Sequence, residues 1–225
     1  MKYIKVFDKP FMAKINIMKR AHENRENTLL INTVSPPAVI FGQDIDYSVF
    51  KNPKKVDVVR TPFRGGPVFF DENVLLYSIT FDIEKYNQNP FNFRYVIKDI
   101  LENYGYENLE VNKRNDILIN GKKFSGGAKY ITKDKKLVML NGFITLHLDY
   151  KKAIQSAVYE KHGGLEERAI GLNQCGQKQI TMDYLVEQLE IAVEKTFNVK
   201  LDPTPYDDDG FVWVQDETFL KRNRR

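Results

Sequence analysis

The fold is most clearly indicated by residues 115–128, which are Asn115-Asp116-Ile117-Leu118-Ile119-Asn120-Gly121-Lys122-Lys123-Phe124-Ser125-Gly126-Gly127-Ala128. The pair Asn120-Gly121 predicts a β-hairpin, because a type I′ turn requires positive φ at both central positions. Since side chains alternate along a strand, we expect Lys123 and Ser125 on one face of the returning strand and Lys122 and Phe124 on the other. A lysine beside a glycine-rich segment can bind a phosphate or a carboxylate, although an ordinary surface hairpin has the same pattern.

A second glycine-rich turn is predicted upstream, between strands at 56–60 and 68–70. The segment is Val58-Val59-Arg60-Thr61-Pro62-Phe63-Arg64-Gly65-Gly66-Pro67-Val68-Phe69-Phe70-Asp71. Gly65 and Gly66 would let the backbone approach a ligand closely. Arg60 or Arg64 could bind a phosphate through paired hydrogen bonds. The alternative is a tight turn whose arginines lie in water.

Composition narrows the class of protein. The 225 residues are 42% hydrophobic and 28% charged, as in a globular domain with a full core. The net charge is +4, and acidic and basic residues are mixed along the chain. This pattern does not predict nucleic-acid binding, which typically needs a clustered basic face. Cys175 is the single cysteine, so no disulfide can form within the chain. No stretch approaches the roughly 20 apolar residues of a membrane helix. We expect a soluble cytoplasmic protein that binds neither nucleic acid nor a membrane.

Helices and strands are mixed along the chain. Hydrophobic spacing predicts helices over 12–27 and 91–103, and Thr181 is a suitable N-cap for a third helix running to Phe197. Hairpins lie between them. This mixture predicts an α+β fold, with a mixed, mainly antiparallel sheet flanked by helices. The polar face of the first helix is expected to lie in solvent; it consists of Lys14, Lys19, Arg20, Glu23 and Arg25.

Three blocks in order resemble the catalytic domain of the lipoate–protein ligases, which share a fold with biotin–protein ligases and octanoyltransferases. The family pattern P-P-x-V-x-x-G resembles Pro36-Pro37-Ala38-Val39-Ile40-Phe41-Gly42. The pattern R-R-x-S-G-G-G-A-V-F-H-D is matched by Arg60, Gly65, Gly66, Val68, Phe69 and Asp71. The pattern N-D-[IL]…K-[IV]-S-G-[SN]-A is matched by Asn115, Asp116, Lys123, Ser125, Gly126 and Ala128. The resemblance implies a biotin/lipoate-ligase-like catalytic domain at 1–200 and a C-terminal tail at 201–225, without an accessory domain.

The resemblance also implies an activity. ATP and lipoate, or a similar acid, would form an acyl adenylate and pyrophosphate, and a lysine of an acceptor lipoyl domain would then take the acyl group as an amide. The acceptor would be a glycine cleavage H protein or the E2 type of protein in 2-oxoacid dehydrogenases. A separate accessory domain protein is a further candidate partner.

The same resemblance assigns roles to residues. Lys123 is the candidate catalytic residue, a fixed cation between the acid's carboxylate and the α-phosphate. Asp116 is the candidate ligand for Mg²⁺, which is typically held by one or two carboxylates plus phosphate oxygens. The residues expected to bind ATP and the lipoyl adenylate are Arg60, Arg64, Gly65, Gly66, Pro67, Val68, Phe69, Asn115, Ser125 and Gly126.

The chain also departs from the family pattern. Arg64 stands in place of the third glycine, Phe70 in place of the histidine before Asp71, and Leu140-Asn141 in place of a later histidine pair. These changes imply either an acid other than lipoate or a weakened adenylation step. Two alternatives remain: an octanoyltransferase that uses an acyl carrier protein thioester and Cys175, or a non-catalytic module that binds a lipoyl or biotinyl group.

Overall fold

The computed structural model describes residues 1–49, 56–61, 65–84, 93–132, 134, 136–157 and 164–206. The strands in these ranges are β1 (Lys2–Lys9), β2 (Thr28–Val34), β3 (Ala38–Phe41), β4 (Asp57–Arg60), β5 (Val68–Phe70), β6 (Val74–Asp82), β7 (Leu109–Val111), β8 (Ile117–Ile119), β9 (Lys122–Ile131), β10 (Leu137–Thr145) and β11 (Asp202–Pro203). The helices are α1 (Phe11–Glu23), α2 (Phe93–Tyr104), α3 (Tyr150–Ser156), α4 (Leu165–Arg168) and α5 (Met182–Phe197). The candidate residue Arg64 and the tail from 207 to 225 lie outside the described residues.

The strands form two sheets. The larger sheet has the order β11-β1-β2-β6-β10-β9-β8-β7, and the smaller one has the order β4-β3-β5. In the larger sheet β11–β1 and β1–β2 are parallel, and the other neighbours are antiparallel. The predicted α+β class with a mainly antiparallel mixed sheet is therefore confirmed. Residues 201–206, the described beginning of the predicted tail, contribute β11 to this sheet.

Each face of the larger sheet is covered by different elements. α2 and α5 pack on one face, where Phe93 and Phe197 contact each other and Phe197 contacts Phe81 of β6. α1 and the smaller sheet cover the other face, where Phe11 and Phe70 pack together in one buried cluster. Neighbouring residues of β6 point to opposite faces. The site described below lies on the face covered by α1.

Several local predictions are confirmed. Thr181 is the N-cap of α5, and its side chain accepts a hydrogen bond from the backbone N–H of Tyr184 at 3.2 Å. Asn120 and Gly121 have φ angles of 50° and 76°, as a type I′ turn requires. α1 ends at Glu23, four residues before the predicted end. Arg25 is already left-handed there, with φ of 54°, and the chain turns into β2.

The prediction that Lys123 and Ser125 share a face is wrong. In the pairing of β8 with β9, Leu118 lies opposite Lys123 but Ile117 lies opposite Ser125. One extra residue, Phe124, is therefore accommodated as a β-bulge, which breaks the regular alternation of side chains. Because neighbours on β8 point to opposite faces, Lys123 and Ser125 do so as well. Its pairing with Leu118 places Lys123 on the face covered by α1, and the bulge places Ser125 on the opposite face.

Candidate active site

A cavity of about 970 Å³ lies between α1, the smaller sheet and the larger sheet. Its apolar walls come from all three elements and include Phe11, Ile15, Met18, Ile40, Val68, Phe70, Leu76, Met139 and Phe143. This volume is within the range typical of small-molecule sites. The cavity is therefore large enough for an acyl chain together with a further group.

Lys123 and Asp116 form an ion pair at the cavity wall. Lys123 Nζ lies 2.7 Å from Asp116 Oδ1, and the side chains are 35% and 18% exposed, respectively. The amine also lies 5.5 Å from the centre of the Phe143 ring. On the backbone, the carbonyl of Lys123 accepts a hydrogen bond of 3.0 Å from the N–H of Ile170. This hydrogen bond and the bulge hold the lysine backbone in position beneath the cavity.

The turn before β8 orients Asp116. Asn112 Oδ1 accepts hydrogen bonds from the backbone N–H groups of Arg114 at 2.8 Å and Asp116 at 3.0 Å. Asn115 is left-handed, with φ of 69°, a conformation that asparagine tolerates better than most residues. Asn112 Nδ2 lies 3.4 Å from Asp116 Oδ2. Among the described residues, this long contact is the only hydrogen bond to Asp116 Oδ2.

Gly126 lies directly beneath the ion pair. A Cβ atom at Gly126 would lie 2.8 Å from both Cε and Nζ of Lys123 and 2.9 Å from Asp116 Oδ1. Those distances are shorter than van der Waals contact, so any side chain at this position would displace the amine or the carboxylate. A residue larger than glycine at this position would therefore disturb the ion pair.

The glycine turn borders the same cavity. Gly65 and Gly66 both line it, and their φ angles are 98° and 97°, which L-residues rarely adopt. The N–H of Gly65 donates a 2.9 Å hydrogen bond to Asp44 Oδ1. A Cβ at Gly66 would lie 2.8 Å from the carbonyl oxygen of Ile40. The turn thus packs against the end of β3, and its backbone forms part of the cavity wall.

Arg60 lines the cavity but is largely engaged with the backbone. It is 5% exposed, and its guanidinium stacks 4.4 Å from the centre of the Phe41 ring. Its Nη1 donates to the carbonyls of Gly42, Gln43 and Ile45 at 3.5, 3.4 and 3.3 Å. Burial lowers the pKa of Arg60, and the nearby Asp46 carboxylate acts in the opposite direction. Arg60 organises the segment after β3 as well as bordering the cavity.

Not every predicted site residue reaches the cavity. Val68 lines it, but Phe69 points to the other side of β5 and packs with Val39 and Leu148, so that Phe70 lines the cavity instead. Pro67 follows Gly66 through a cis peptide bond and is not among the residues lining the cavity. Asn115, Ser125 and Gly126 border a separate cavity of about 50 Å³ on the opposite face, beside Tyr77 and Arg94.

The charged side chains around the main cavity are mostly cationic. Within the described part of the chain they are Lys14, Lys19, Arg60, Arg114 and Lys123, against the single carboxylate of Asp116. An excess of one sign in a cleft with apolar walls favours ligands of the opposite charge. The site is therefore suited to an anionic ligand.

Sequence reasoning missed Lys14. It was predicted to lie in solvent, but it is 8% exposed and lines the cavity. Its Nζ lies 5.5 Å from the centre of the Phe11 ring, and burial lowers its pKa from 10.5 to about 7. The available signal was its spacing, because Lys14 follows Phe11 by three residues and precedes Met18 by four, which places all three on one helical face.

Two further residues bear on the alternatives. Asn141 stands where the family pattern has histidine, and it lines the cavity. Its Oδ1 accepts a hydrogen bond from Ser78 Oγ at 2.6 Å, and its buried Nδ2 has no partner among the described residues.

Cys175 lies away from the cavity. It is half-buried, its thiol donates a hydrogen bond to the carbonyl of Leu172 at 2.9 Å, and it packs against the core on the opposite face of the sheet. The thiol is not part of the cavity wall.

A family model, the lipoyl protein ligase A/B catalytic domain, matches residues 12–194. The chain belongs to the lipoyl protein ligase A/B catalytic-domain family. Among curated relatives, the lipoate-protein ligase LplJ of Bacillus subtilis (strain 168) is 32% identical over 120 residues, which are 51% of this chain and 36% of that protein. The octanoyltransferase LipM of Anoxybacillus flavithermus (strain DSM 21510 / WK1) is 25% identical over 107 residues, 44% of this chain and 38% of that protein.

Solved structures show the same lipoyl ligase fold. A crystal structure of lipoate-protein ligase A bound with ATP has a TM-score of 0.71 at 15% identity and covers 92% of this chain and 90% of that one. The bi-partite lipoate protein ligase of Thermoplasma acidophilum, solved in a study with its E2 lipoyl domain, has a TM-score of 0.70 at 13% identity, covering 92% and 87%. The chain spans little more than a third of the length of the curated relatives named above. Within the described ranges, no helix has the length and apolarity needed to cross a membrane.

Proposed function

We propose that this chain is a lipoate–protein ligase-like acyltransferase, which activates an acid with ATP and transfers the acyl group to a lysine of a lipoyl domain. The observation that carries the proposal is the amine of Lys123, fixed over Gly126 beside Asp116 in a cavity with mostly cationic charges. Family membership and the likeness to a ligase solved with ATP support it.

In the first step, an oxygen of the acid's carboxylate attacks the α-phosphorus of ATP. A carboxylate–phosphorus bond forms, the bond from the α-phosphorus to the bridging oxygen breaks, and pyrophosphate leaves with the bonding electrons. Both reactants are anionic, so their approach requires a cation between them. Lys123 would contact both groups, stabilising the charge that develops in the transition state. Asp116 orients the amine before the substrates enter.

The cavity supplies the remaining requirements of this step. Gly65 and Gly66 present backbone to a ligand, and Arg114 adds a further cation to the cavity wall. Asp116 fits Mg²⁺ as a single carboxylate ligand, since among the described residues its Oδ2 has only the long contact to Asn112, and phosphate oxygens would complete the coordination. Mg²⁺ bound there would neutralise phosphate charge.

In the second step, the amine of an acceptor lysine attacks the carbonyl carbon of the adenylate. An amide bond forms, AMP leaves, and the attacking nitrogen loses a proton. The acceptor we propose is a lipoyl domain, of the glycine cleavage H protein or the 2-oxoacid dehydrogenase E2 type. A separate accessory domain protein would be a further partner. The bi-partite lipoate protein ligase of Thermoplasma acidophilum supports this part of the proposal.

An octanoyltransferase is the second candidate, because one curated relative carries that name. Such a reaction through a cysteine thioester would need a thiol in the cavity. The position of Cys175 on the other face of the sheet favours the ligase.

The decisive experiment measures ATP–pyrophosphate exchange with lipoate and octanoate, followed by mass spectrometry of a lipoyl domain acceptor. We expect exchange and a mass increase with the wild type, and a loss of at least about 100-fold for Lys123→Ala. Lys122→Ala is the matched control, because its amine instead donates to the carbonyl of Glu166 on the surface. Acyl transfer from a carrier protein thioester without ATP would identify the octanoyltransferase, and ligand binding without turnover would identify a binding module.

A further inference from the structure

Three phenylalanines form a continuous row along the cavity, with a lysine amine at each end. Phe11 and Phe70 are stacked with their centres 6.0 Å apart, and Phe70 lies 5.2 Å from Phe143. Lys14 Nζ lies 5.5 Å from the centre of Phe11, and Lys123 Nζ lies 5.5 Å from the centre of Phe143. We call Phe11, Phe70 and Phe143 the aromatic row. It links the two amines across apolar surface.

The two amines differ in their partners. Lys123 has the carboxylate of Asp116 at 2.7 Å. For Lys14, the described residues provide a ring contact and no ion pair. A buried ammonium without an anion is unfavourable, because it has lost water and gained no opposite charge. Its lowered pKa reflects the same desolvation. An anionic group brought by a ligand would supply the missing partner.

We propose that Lys14 binds a second carboxylate at the far end of the acid substrate, so that the preferred substrate is a medium-chain dicarboxylic acid. This inference rests on the proposed function, which puts the acid's reactive carboxylate at Lys123. The methylene chain would lie along the aromatic row, and the distal carboxylate would pair with the Lys14 amine. An acid with a wholly apolar end would leave that amine without a partner.

The lining of the cavity favours an acid over a second phosphate at this position. Phe11, Phe70, Ile15 and Leu76 belong to one apolar cluster that lines the cavity, and such a surface suits methylene groups. The polar backbone and cations expected to contact phosphates lie at Gly65, Gly66, Arg114 and Lys123. Phe70, where the family pattern has histidine, makes the row continuous.

The experiment compares octanedioic acid with octanoic acid, which have the same chain length and differ in the distal carboxylate. Their dissociation constants are measured by calorimetry without ATP, and their kcat/KM values by ATP–pyrophosphate exchange. The proteins are the wild type, Lys14→Met and Lys19→Met. Lys19 is the matched control, because it is on the same helix and at the same cavity but is 48% exposed and lies 3.7 Å from Glu23.

We expect the wild type to bind octanedioate at least tenfold more tightly than octanoate, Lys14→Met to lose or reverse this preference, and Lys19→Met to retain it. Equal or weaker binding of octanedioate by the wild type, or a preference that survives in Lys14→Met, would overturn the inference. If ATP–pyrophosphate exchange occurs with octanoate or lipoate but octanedioate is not preferred, the inference about Lys14 fails and the proposed ligase activity stands. If octanedioate binds more tightly than octanoate but no acid supports exchange, the ligase activity is refuted and the carboxylate site at Lys14 stands.

Discussion

At the scale of single residues, the site depends on how closely two charged side chains approach a glycine. The Lys123 amine, the Asp116 carboxylate and the Cα of Gly126 occupy one small volume, in which a Cβ would fit only if the amine or the carboxylate moved. The neighbouring Gly127 is constrained differently, because a Cβ there would lie 2.5 Å from the backbone carbonyl of Asn141 on β10. Adjacent glycines are thus required for different reasons, one by the site and one by the sheet.

Gly126→Ala is expected to lower activity much more than stability. The new methyl group meets the flexible end of Lys123, which can move aside, but a displacement of about 1 Å at a reacting group costs roughly 100-fold in rate. Gly127→Ala should lower the melting temperature instead, since its methyl group meets fixed backbone. Pyrophosphate exchange and thermal unfolding of both variants test this. A Gly126→Ala protein with wild-type kcat/KM would contradict the assigned geometry.

Lys14→Met is expected to stabilise the ligand-free protein. The folded-state pKa of about 7 lies below the ordinary 10.5, so the unfolded state binds the proton more tightly. The resulting cost is complete below pH 7, shrinks as the pH rises and disappears near pH 10.5. We expect a gain on the order of 5 kcal/mol in the free energy of unfolding at pH 6. Urea unfolding at pH 6 and pH 10 measures it.

The same measurement on Lys19→Met serves as the control, with an expected change within about 0.5 kcal/mol, as for surface substitutions. Unchanged or lower stability of Lys14→Met at pH 6 would show that the buried amine has a favourable partner.

Other titratable groups share the cavity with Lys14. Among the described residues they are Lys19, His22, Arg60, Arg114, Asp116, Lys123 and Tyr130.

At the scale of elements, the hairpin of β8 and β9 decides which side chains can act together. Its turn is formed by Asn120 and Gly121, but the bulge at Phe124 places Ser125 on the opposite face of the strand from Lys123. α1 provides the opposite wall, with a lysine on its buried face. α5 covers the other side of the sheet and contributes stability without lining the cavity.

Thr181→Ala is expected to destabilise the protein by about 1 kcal/mol, because the N–H of Tyr184 loses its capping acceptor. Thr181→Ser keeps a hydroxyl at this position and should retain most of that stability. Since α5 is remote from the cavity, kcat for pyrophosphate exchange should be unchanged in both. Chemical denaturation measures the change in stability, and the rate of pyrophosphate exchange measures kcat. A loss of kcat in Thr181→Ala would link α5 to the site.

At the scale of the whole molecule, the larger sheet separates the apolar core from the candidate chemistry. The core beneath α2 and α5 contains Phe81 and Phe197 and has Cys175 at its edge. The cavity on the other face gathers cationic side chains around Asp116, which is the single carboxylate among the described residues that line it. This separation explains why the cysteine and the lysine, both conspicuous in the sequence, do not cooperate.

Cys175→Ser is expected to retain adenylation and acyl transfer within about twofold, because its thiol lies outside the cavity. The serine hydroxyl can still donate to the carbonyl of Leu172, so the variant should fold. The measurement is mass spectrometry of the acceptor over time. Loss of transfer with intact pyrophosphate exchange would support a thioester route.

Interactions between near neighbours could be predicted from the sequence. The Thr181 cap, the Asn120-Gly121 turn and the mainly antiparallel mixed sheet follow from local spacing and from turn chemistry that depends on a few adjacent residues. The three motif blocks, in order, indicated the family that the comparison then showed. These features need no knowledge of which distant segments meet.

Contacts between distant segments could not be predicted in this way. The facing of Lys123 and Ser125 depends on how β8 pairs with β9, and the burial of Lys14 depends on the smaller sheet that closes over α1. Phe70 rather than Phe69 lines the cavity because β5 pairs with β3 in one register. A one-residue change in pairing reverses every side chain on a strand, and only the packed chain selects one pairing.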